Sequence, residues 1–170
     1  MSRRLPSLGG QERPANLAVL MREAFVALND RVLTGLAEHG HGEVRPAHGA
    51  VFQYIDDTGT TVSLLAERAQ MTKQAMAELV KHLETHGYVR RVPDPTDRRA
   101  KLVVPTERGH DVIAVAQGLV PAIEEEVGKI LGADRVRHLR ADLEVIRRAI
   151  PSELKSGDGA TRPSAAQIRQ

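Results

Sequence analysis

The chain has 170 residues, which allows one domain with a sizeable core and flexible ends but is too short for two ordinary enzyme domains. It contains no cysteine, and this excludes disulfides, thiol nucleophiles, Cys-based zinc or iron–sulfur sites and thiol redox sensors. The net charge of +2 alone does not indicate a nucleic-acid partner. Residues 61–110, however, hold nine Lys and Arg against six Asp and Glu, so the positive excess lies in the middle of the chain.

Apolar residues make up 41% of the chain, and only two Phe and two Tyr are aromatic. A core of Leu, Val, Ile and Ala is therefore expected, as in packed helices. No segment approaches the roughly 18 to 20 consecutive apolar residues of a membrane span, and the polar start lacks the apolar part of a secretory signal. We expect a cytoplasmic protein without a membrane partner. Residues 1–13 and 151–170 have no repeating apolar pattern and are expected to be flexible tails.

Residues 15–39 carry apolar side chains every three or four positions, which predicts a long amphipathic helix ended by Gly40. Pro46 suits the first turn of a second helix, because its missing N–H would have no partner there anyway, and this helix is predicted to extend to about Asp57. The segment DDTGTT is then predicted to be a turn. The apolar positions of the first helix are Leu17, Leu20, Met21, Ala24, Phe25, Leu28, Val32 and Leu36.

Two candidate helix caps lie nine residues apart in the centre of the chain. Ser63 is positioned to cap a short helix, LLAERA, and Thr72 to cap a longer one that Gly87 ends. A short helix, a tight turn and a longer helix make the helix-turn-helix pattern. On a helical wheel the longer helix separates into two faces. The inward face holds Met76, Leu79, Val80 and Leu83, and the outward face holds Gln74, Ala77, Glu78, Lys81 and Thr85.

Two β-branched runs, YVRRV and AKLVV, follow this helix and flank PDPTDRR, whose prolines, aspartates and threonine are typical of a turn. A hairpin directly after a helix-turn-helix predicts a winged helix. Its tip carries Arg98 and Arg99, and a hairpin beside a major-groove helix lies against the phosphates and the minor groove, where arginine binds well. Asp94 and Asp97 are predicted to hold these guanidinium groups in place. The alternative is a solvated hairpin whose Arg and Asp pair only with one another.

The stretch DPTDRRAKLVVPTERG is similar to the wing signature of the MarR-type (multiple antibiotic resistance regulator) transcription factors, with Pro105 in place of their usual Leu. The resemblance covers residues 14–150. It implies a mainly α fold with a small β-hairpin wing. The implied function is a DNA-binding transcriptional regulator, expected to be a repressor, that binds a pseudo-palindromic operator as a homodimer. The implied parts are a winged helix-turn-helix over residues 61–105 and dimerisation helices over residues 14–39 and 106–150.

Carried over by position, the resemblance assigns DNA-contacting roles in the helix-turn-helix and the wing. Asp94 and Asp97 support the wing. Glu78 departs from the pattern, since such proteins often carry Arg there. It either accepts a hydrogen bond from a cytosine amino group or turns aside toward Lys81 or His82. The candidate DNA-binding residues are Ser63, Thr72, Lys73, Gln74, Ala77, Lys81, Arg98 and Arg99.

After the wing, Thr106 is positioned to cap a long helix, and Pro121 within it predicts a kink or break near Gly118. The last helix has apolar residues at spacings of 3, 4, 3 and 4, which fits either a partner chain or packing within the monomer. The resemblance implies a dimer built from the first helix and the last two, and a small aromatic or anionic effector. The effector-site candidates are His48, Phe52 and Tyr54, with core packing as the alternative. The apolar residues of the last helix are Val136, Leu139, Leu143, Ile146 and Ile150.

Patterns that could indicate catalysis or metal binding have simpler interpretations. His39, His41 and His48 lack cysteine partners and a helical i, i+4 pair, so no metal site is expected. Glu124 to Glu126 are consecutive, so they point in different directions around a helix and do not converge on one substrate. Without a phosphate loop or a Ser/His/Asp arrangement, neither an enzyme nor a cofactor is expected. The alternative functions are a winged-helix module for protein–protein interaction and a binder of RNA or single strands, for which stacking aromatics are missing.

Overall fold

The computed structural model describes residues 16–97 and 99–149, which form a mainly helical chain with one small antiparallel sheet. The predicted fold class is confirmed. The predicted tails, Arg98 and Ile150 lie outside the described residues. The described residues belong to two compact units, divided after Val127. The elements are α1 (Leu17–Glu38), a 3-10 turn (Pro46–His48), α2 (Gly49–Tyr54), β1 (Thr60–Thr61), α3 (Val62–Arg68), α4 (Lys73–Thr85), β2 (Val89–Pro93), β3 (Lys101–Pro105), α5 (Glu107–Leu131) and α6 (Ala133–Ala149).

The first helix begins and ends close to its predicted limits. The Asn16 side chain accepts a hydrogen bond from the Val19 amide at 3.0 Å and caps the start of α1. After α1, Gly40 adopts a φ of 87°, a left-handed conformation that glycine enters without strain. This residue ends the helix as predicted.

The second helix is shorter than predicted. Pro46 begins a single 3-10 turn that continues into α2, but α2 ends at Tyr54 rather than near Asp57. The Arg68 guanidinium donates to the Tyr54 carbonyl at 2.8 Å and to the Asp56 carboxylate at 2.7 Å. These contacts with α3 occupy the last carbonyl of α2 and hold the next residues in a turn, so the helix stops there.

The segment predicted to be a turn contains a third strand. Gly59 turns the chain with a φ of 100°, and the next two residues form β1, which pairs antiparallel with β3. The sheet has the order β1-β3-β2, so the prediction of a two-stranded hairpin is corrected. Thr60 of β1 is 1% exposed, and its hydroxyl accepts a hydrogen bond from the Asp56 amide at 2.9 Å. A strand of two residues is too short for apolar alternation to indicate it.

Thr61, rather than Ser63, caps α3. The Thr61 hydroxyl accepts a hydrogen bond from the Leu64 amide at 3.2 Å, and α3 begins at Val62. The predicted cap at Ser63 is wrong because the pairing of β1 with β3 fixes Thr61 in an extended backbone conformation immediately before the helix. Ser63 lies instead in the first turn of α3 and is exposed.

Replacing Thr61 by Ala should lower the free energy of unfolding by about 1 kcal/mol, because an amide in the first turn of α3 loses its acceptor. Ser63→Ala removes a hydroxyl that caps nothing and should change the free energy of unfolding by less than about 0.5 kcal/mol. Urea unfolding of both variants, followed by far-UV circular dichroism, measures the difference. A larger loss for Ser63→Ala would contradict the assignment of the cap.

The start of α4 and the separation of its inward and outward faces agree with the prediction. Thr72 caps α4 through a hydrogen bond from the Ala75 amide at 3.2 Å, and Gly87 follows the helix with a φ of 74°. The predicted inward residues are buried, apart from the partly exposed Leu79. The outward residues are exposed, apart from the partly buried Ala77. The helix therefore packs on the core along one face and leaves a polar face open.

The core of the first unit contains two large side chains that the composition did not predict. Met76 and Tyr88 are fully buried among the expected Leu and Val residues. The Tyr88 hydroxyl donates to the Glu43 carboxylate at 3.1 Å, which satisfies the polar atom of this buried ring. Burial raises the pKa of Tyr88, and the hydrogen bond to Glu43 raises it further, so the phenol is protonated at neutral pH. The other fully buried large side chains are Val51, Leu65, Val80, Leu83, Val89, Val103 and Val112.

The fifth helix runs through Pro121 without a break. The Thr106 hydroxyl accepts a hydrogen bond from the Gly109 amide at 3.2 Å, which caps the start of α5 as predicted. The helix is continuous at Gly118, where a kink or break was predicted. Proline removes a single backbone donor, and the hydrogen bonds on either side of it maintain the helix.

Large apolar side chains remain exposed on α1, α5 and α6, in addition to Leu64 of α3. The apolar stripe of α1 is buried only near its C-terminal end, at Leu36, whereas Phe25 is 64% exposed. Ile130 of α5 is 80% exposed. Over residues 16–97 and 99–149, no helix is both long enough and apolar enough to cross a lipid bilayer. The exposed set is Leu17, Leu20, Met21, Phe25, Val26 and Leu28 in α1, Val120 and Ile130 in α5, and Leu139, Leu143 and Val145 in α6.

Candidate nucleic-acid interface

A cleft of about 500 Å³ lies between the helix-turn-helix and the wing. The start of α3, the first turns of α4 and the two wing strands all contribute to its walls. Among the described residues, four cations line the cleft against a single acid, and a concave surface with one dominant sign of charge attracts the opposite charge. The lining residues are Thr61, Val62, Ser63, Lys73, Ala77, Arg91, Asp97, Arg99, Ala100 and Lys101.

The cleft brings together residues that are far apart in the sequence. Of the candidate DNA-binding residues, Ser63, Lys73, Ala77 and Arg99 line it. The Thr72 hydroxyl is occupied in capping α4, and Gln74 and Lys81 lie on the outward face of that helix, beyond the cleft. Arg98, next to Arg99 in the sequence, is outside the described residues.

Sequence reasoning missed Thr61, Arg91 and Lys101 as members of this surface. Arg91 of β2 lies opposite Val103, and its Nε is 3.2 Å from a carboxylate oxygen of Glu84 near the end of α4. Arg91 and Lys101 both contribute to the positive excess of residues 61–110. Their position beside the helices, however, depends on strand pairing, which the charge pattern alone does not reveal.

The two aspartates of the wing bind the backbone of its turn. Asp94 Oδ1 accepts hydrogen bonds from the Thr96 amide at 2.8 Å and from the Thr96 hydroxyl at 2.6 Å, and Asp97 Oδ1 accepts one from the Arg99 amide at 2.9 Å. Among the described residues, neither carboxylate contacts a guanidinium, so the predicted contact with Arg99 is corrected, whereas the predicted contact with Arg98 lies outside the described residues. An aspartate two residues before an amide closes a compact ring with the backbone, which is favoured over contact with a long side chain.

These hydrogen bonds set the charge state of Asp94. The Thr96 hydroxyl, followed by the Thr96 amide, lowers the pKa of Asp94. Because the pKa is lowered in the folded state, the contribution of Asp94 to stability is fully present above the unfolded-state value and is lost as the pH falls through the folded-state pKa. The turn is therefore held by a charged carboxylate at neutral pH.

Replacing Asp94 by Ala should weaken DNA binding several-fold, because the turn that presents the wing arginines loses three hydrogen bonds. Asp94→Asn should retain most of the affinity, since an amide oxygen accepts the same bonds without a negative charge. Fluorescence anisotropy with a labelled duplex measures the affinity of each variant. An equal loss in both variants would indicate that the charge of Asp94, rather than its acceptor oxygen, supports the wing.

Arg108 fixes the base of the wing. Its guanidinium lies 4.5 Å from the centroid of the Tyr88 ring and donates to the Gly40 and His86 carbonyls, both at 3.2 Å. It also donates to the Glu43 carboxylate at 3.2 Å. The pKa of Glu43 is lowered by a hydrogen bond from its own backbone, then by the Tyr88 hydroxyl, with Arg108 adding to the effect. One guanidinium thus joins the loop after α1, the end of α4 and the start of α5, and this sets the direction in which the wing leaves the core.

A second cavity, of about 240 Å³, lies between α1, α2 and α5. Phe52 lines it, whereas the other two effector-site candidates do not. His48 is 2% exposed and stacks on His82 with ring centroids 4.6 Å apart. Burial lowers the pKa of His48 to about 4, with the charges of His82 and Arg45 adding to the effect, so the ring is neutral at physiological pH. Tyr54 packs against the core at the end of α2.

The histidines and glutamates that resembled metal or catalytic groups have structural contacts. His41 is buried, and its Nε2 lies 2.9 Å from an Asp111 carboxylate oxygen. Glu126 pairs with Arg31 at 2.7 Å. In the part of the chain that the structure describes, no group of three or more His, Asp or Glu side chains is placed to hold a metal ion.

Known proteins are similar to this chain in sequence and in fold. A family model described as the MarR family matches residues 44–100. The transcriptional regulator HosA of Escherichia coli O111:H- is 30% identical over 92 residues, which cover 54% of this chain and 68% of HosA. The transcriptional activatory protein BadR of Rhodopseudomonas palustris is 29% identical over 118 residues, which cover 69% of this chain and 66% of BadR. The crystal structure of the S. aureus MepR–DNA complex shares the fold, with a TM-score of 0.63 at 17% identity over 79% of this chain and 98% of MepR.

The matched segment covers the cleft except for Lys101 of β3. Residues 44–100 include α3, α4, β2 and the turn of the wing. The sequence relatives are transcriptional regulators rather than enzymes. The chain therefore belongs to the MarR family of DNA-binding transcriptional regulators.

Proposed function

We propose that the protein is a cytoplasmic repressor that binds a pseudo-palindromic operator as a homodimer and is released by a small molecule. The observation that carries the proposal is the basic cleft, where Lys73 of α4 and Arg99 of the wing line one surface. In this proposal α4 enters the major groove, and the wing lies over the phosphates and the adjacent minor groove. Arg98 and Arg99 bind acceptors there with planar guanidinium groups, and Lys73 neutralises a phosphate.

A homodimer would cover the exposed apolar side chains. Six large apolar residues of α1 are exposed, and exposed apolar residues recur on α5 and α6. A row of exposed apolar side chains along one helix, as on α1, is characteristic of interfaces between protein chains. We assign residues 14–39 and 106–150 to dimerisation and residues 61–105 to DNA binding. A twofold pair presents two α4 helices to half-sites roughly 34 to 36 Å apart.

The cavity between α1, α2 and α5 is the proposed effector site. Its walls are mainly apolar, and Arg45 is its one charged lining residue among those described, which fits a small aromatic anion. Arg45 also donates its backbone amide to His48 Nδ1 at 3.0 Å, and His48 stacks on His82 of α4. A ligand bound to Arg45 is thus connected to α4 through His48 and His82.

Selection of bound duplexes from a random library tests the DNA-binding part of the proposal. We expect a pseudo-palindromic sequence bound with nanomolar affinity by two chains, measured by fluorescence anisotropy and by the mass of the complex. Weak binding without sequence preference would instead support a winged helix that serves as a protein-interaction module. A reporter gene placed behind the selected operator tests repression, and a fall in expression on loss of the protein would indicate an activator.

A panel of small aromatic acids tests the effector site. Binding should raise the melting temperature of the protein and lower its affinity for the operator, because a ligand that releases DNA must bind the DNA-free form more tightly. Ala116→Phe places a ring in the cavity and should abolish ligand binding while operator binding is retained. A ligand that binds Ala116→Phe as tightly as the natural chain would place the effector site elsewhere.

A further inference from the structure

The outward face of α4 carries one acidic residue among neutral and basic ones. Glu78 is exposed and lies one helical turn after Gln74, with Ala77 and Lys81 on the same face. If α4 enters the major groove, this carboxylate enters with it. A negative charge at such a position needs a physical reason, because duplex DNA carries a phosphate charge about every 1.7 Å of its axis.

Glu78 differs in its contacts from two nearby acids, Glu84 and Glu43. Glu84, later in α4, pairs with Arg91, and Glu43 is held by Arg108 and Tyr88. Over the described residues, by contrast, the Glu78 carboxylate makes neither a hydrogen bond nor an ion pair. Its carboxylate is therefore available to an outside donor.

The two side chains expected to draw Glu78 aside, Lys81 and His82, do not bind it in the structure. His82 Nε2 lies 3.2 Å from the Glu43 carbonyl oxygen, and its ring lies between those of His48 and His86, at centroid distances of 4.6 and 4.2 Å. These contacts hold the imidazole away from the outward face. Lys81 is exposed and forms no ion pair with Glu78, so neither neighbour neutralises the carboxylate.

The chemistry of base edges selects the donor that this carboxylate accepts. In the major groove only the amino groups of cytosine and adenine donate hydrogen bonds. The amino group of adenine lies beside the N7 acceptor, which repels a carboxylate, whereas cytosine presents its amino group alone. Guanine and thymine present acceptors at the corresponding positions, and these also repel a negative charge.

We propose that Glu78 is a specificity-determining residue that accepts a hydrogen bond from the amino group of one cytosine in each half-site of the operator. The inference rests on the proposed DNA-binding function and deepens it. Glu78 weakens binding to most sequences through its charge and restores it only where cytosine is present. Gln74 precedes it by roughly 6 Å along the helix axis and contacts a base about two pairs away.

The test compares base preferences position by position for Glu78→Ala, Glu78→Gln and the natural chain, by selection from a random duplex library and by anisotropy on single-base variants. The natural chain should prefer cytosine at one position of each half-site by about tenfold or more over any other base. Glu78→Ala should lose that preference, keep the others and bind cytosine-free sites more tightly. Glu78→Gln should shift the preference toward adenine, which a glutamine amide pairs with through two bonds.

Glu67→Gln provides the matched control. Glu67 is an exposed acid of α3, and its carboxylate too makes no hydrogen bond or ion pair with the residues that the structure describes. Its replacement removes the same charge outside α4 and should leave every base preference unchanged. Circular dichroism confirms that each variant is folded.

Two results would overturn the inference in different ways. If the Glu78 variants bind all sites more tightly but keep the cytosine preference, Glu78 only repels phosphate and the inference fails while the proposed function stands. If the natural chain selects no sequence at all, the proposed function fails and the inference fails with it.

Discussion

Replacing Arg98 and Arg99 together by Ala should lower operator affinity by at least about a hundredfold, the effect of losing two charge-assisted hydrogen-bonding groups worth about 1.5 to 3 kcal/mol each. The dependence of affinity on salt should also become shallower, by about 0.9 in the logarithmic slope for each phosphate that the wing no longer binds. Fluorescence anisotropy at several salt concentrations gives both quantities. Arg99 lines the cleft beside Lys73, so the loss arises at the surface where helix and wing meet.

A pair of arginines in α6 controls for the change in net charge. Arg135 and Arg137 are exposed and lie outside the winged helix-turn-helix. Their joint replacement by Ala removes the same charge, and the salt dependence should stay as in the natural chain. If the wing variant keeps its affinity and its slope, the wing does not bind the duplex.

Replacing Gly109 by Ala should lower the free energy of unfolding by about 1 to 3 kcal/mol, through overpacking. A β-carbon at this position would lie well inside van der Waals contact with the Tyr88 carbonyl oxygen and 3.3 Å from the Pro105 β-carbon. The carbonyl is not free to withdraw, since it accepts hydrogen bonds from the Thr106 amide and hydroxyl, both at 3.1 Å. Thr106 thus caps α5. Three residues later, Gly109 has no β-carbon, which leaves room for the Tyr88 carbonyl just before β2.

Gly118→Ala is the matched substitution in the same helix. A β-carbon at Gly118 meets no atom within 4 Å, so Ala should raise the free energy of unfolding by up to about 1 kcal/mol through its higher helix propensity. Urea unfolding of both variants should show that the free energy of unfolding falls for Gly109→Ala and rises for Gly118→Ala. An equal gain from both substitutions would show that the backbone around Gly109 and Tyr88 relaxes without cost.

The elements that sequence reasoning identified well are those specified by neighbouring residues. Thr72, Gly87 and the apolar spacing of α4 act within one or two turns, and each has the predicted role. The hairpin was recognised from its β-branched runs and its turn residues. Errors occurred where a distant contact decides the outcome, as at Ser63, whose predicted capping role belongs to Thr61 because β1 pairs with β3.

In the candidate site, too, the features set by neighbouring residues were predicted and those set by distant contacts were missed. Lys73 and Arg99 were chosen from their positions on a helix and a turn, and they line the cleft. Arg91 and Lys101 were not, because their place in the cleft follows from the register between β2 and β3. Asp94 was correctly placed in the turn, but its partner there is the backbone at Thr96.

Residue type and spacing were sufficient to establish a helix-turn-helix, a basic wing and a polar outward face on α4, because capping, helical periodicity and turn formation depend on atoms a few residues apart. Folding in three dimensions decided which charges share the cleft, why Tyr88 is buried against Glu43, and that Glu78 pairs with none of the described residues. These features depend on contacts between segments that are distant in the chain. Such contacts form only when the core closes, so local patterns in the sequence do not reveal them.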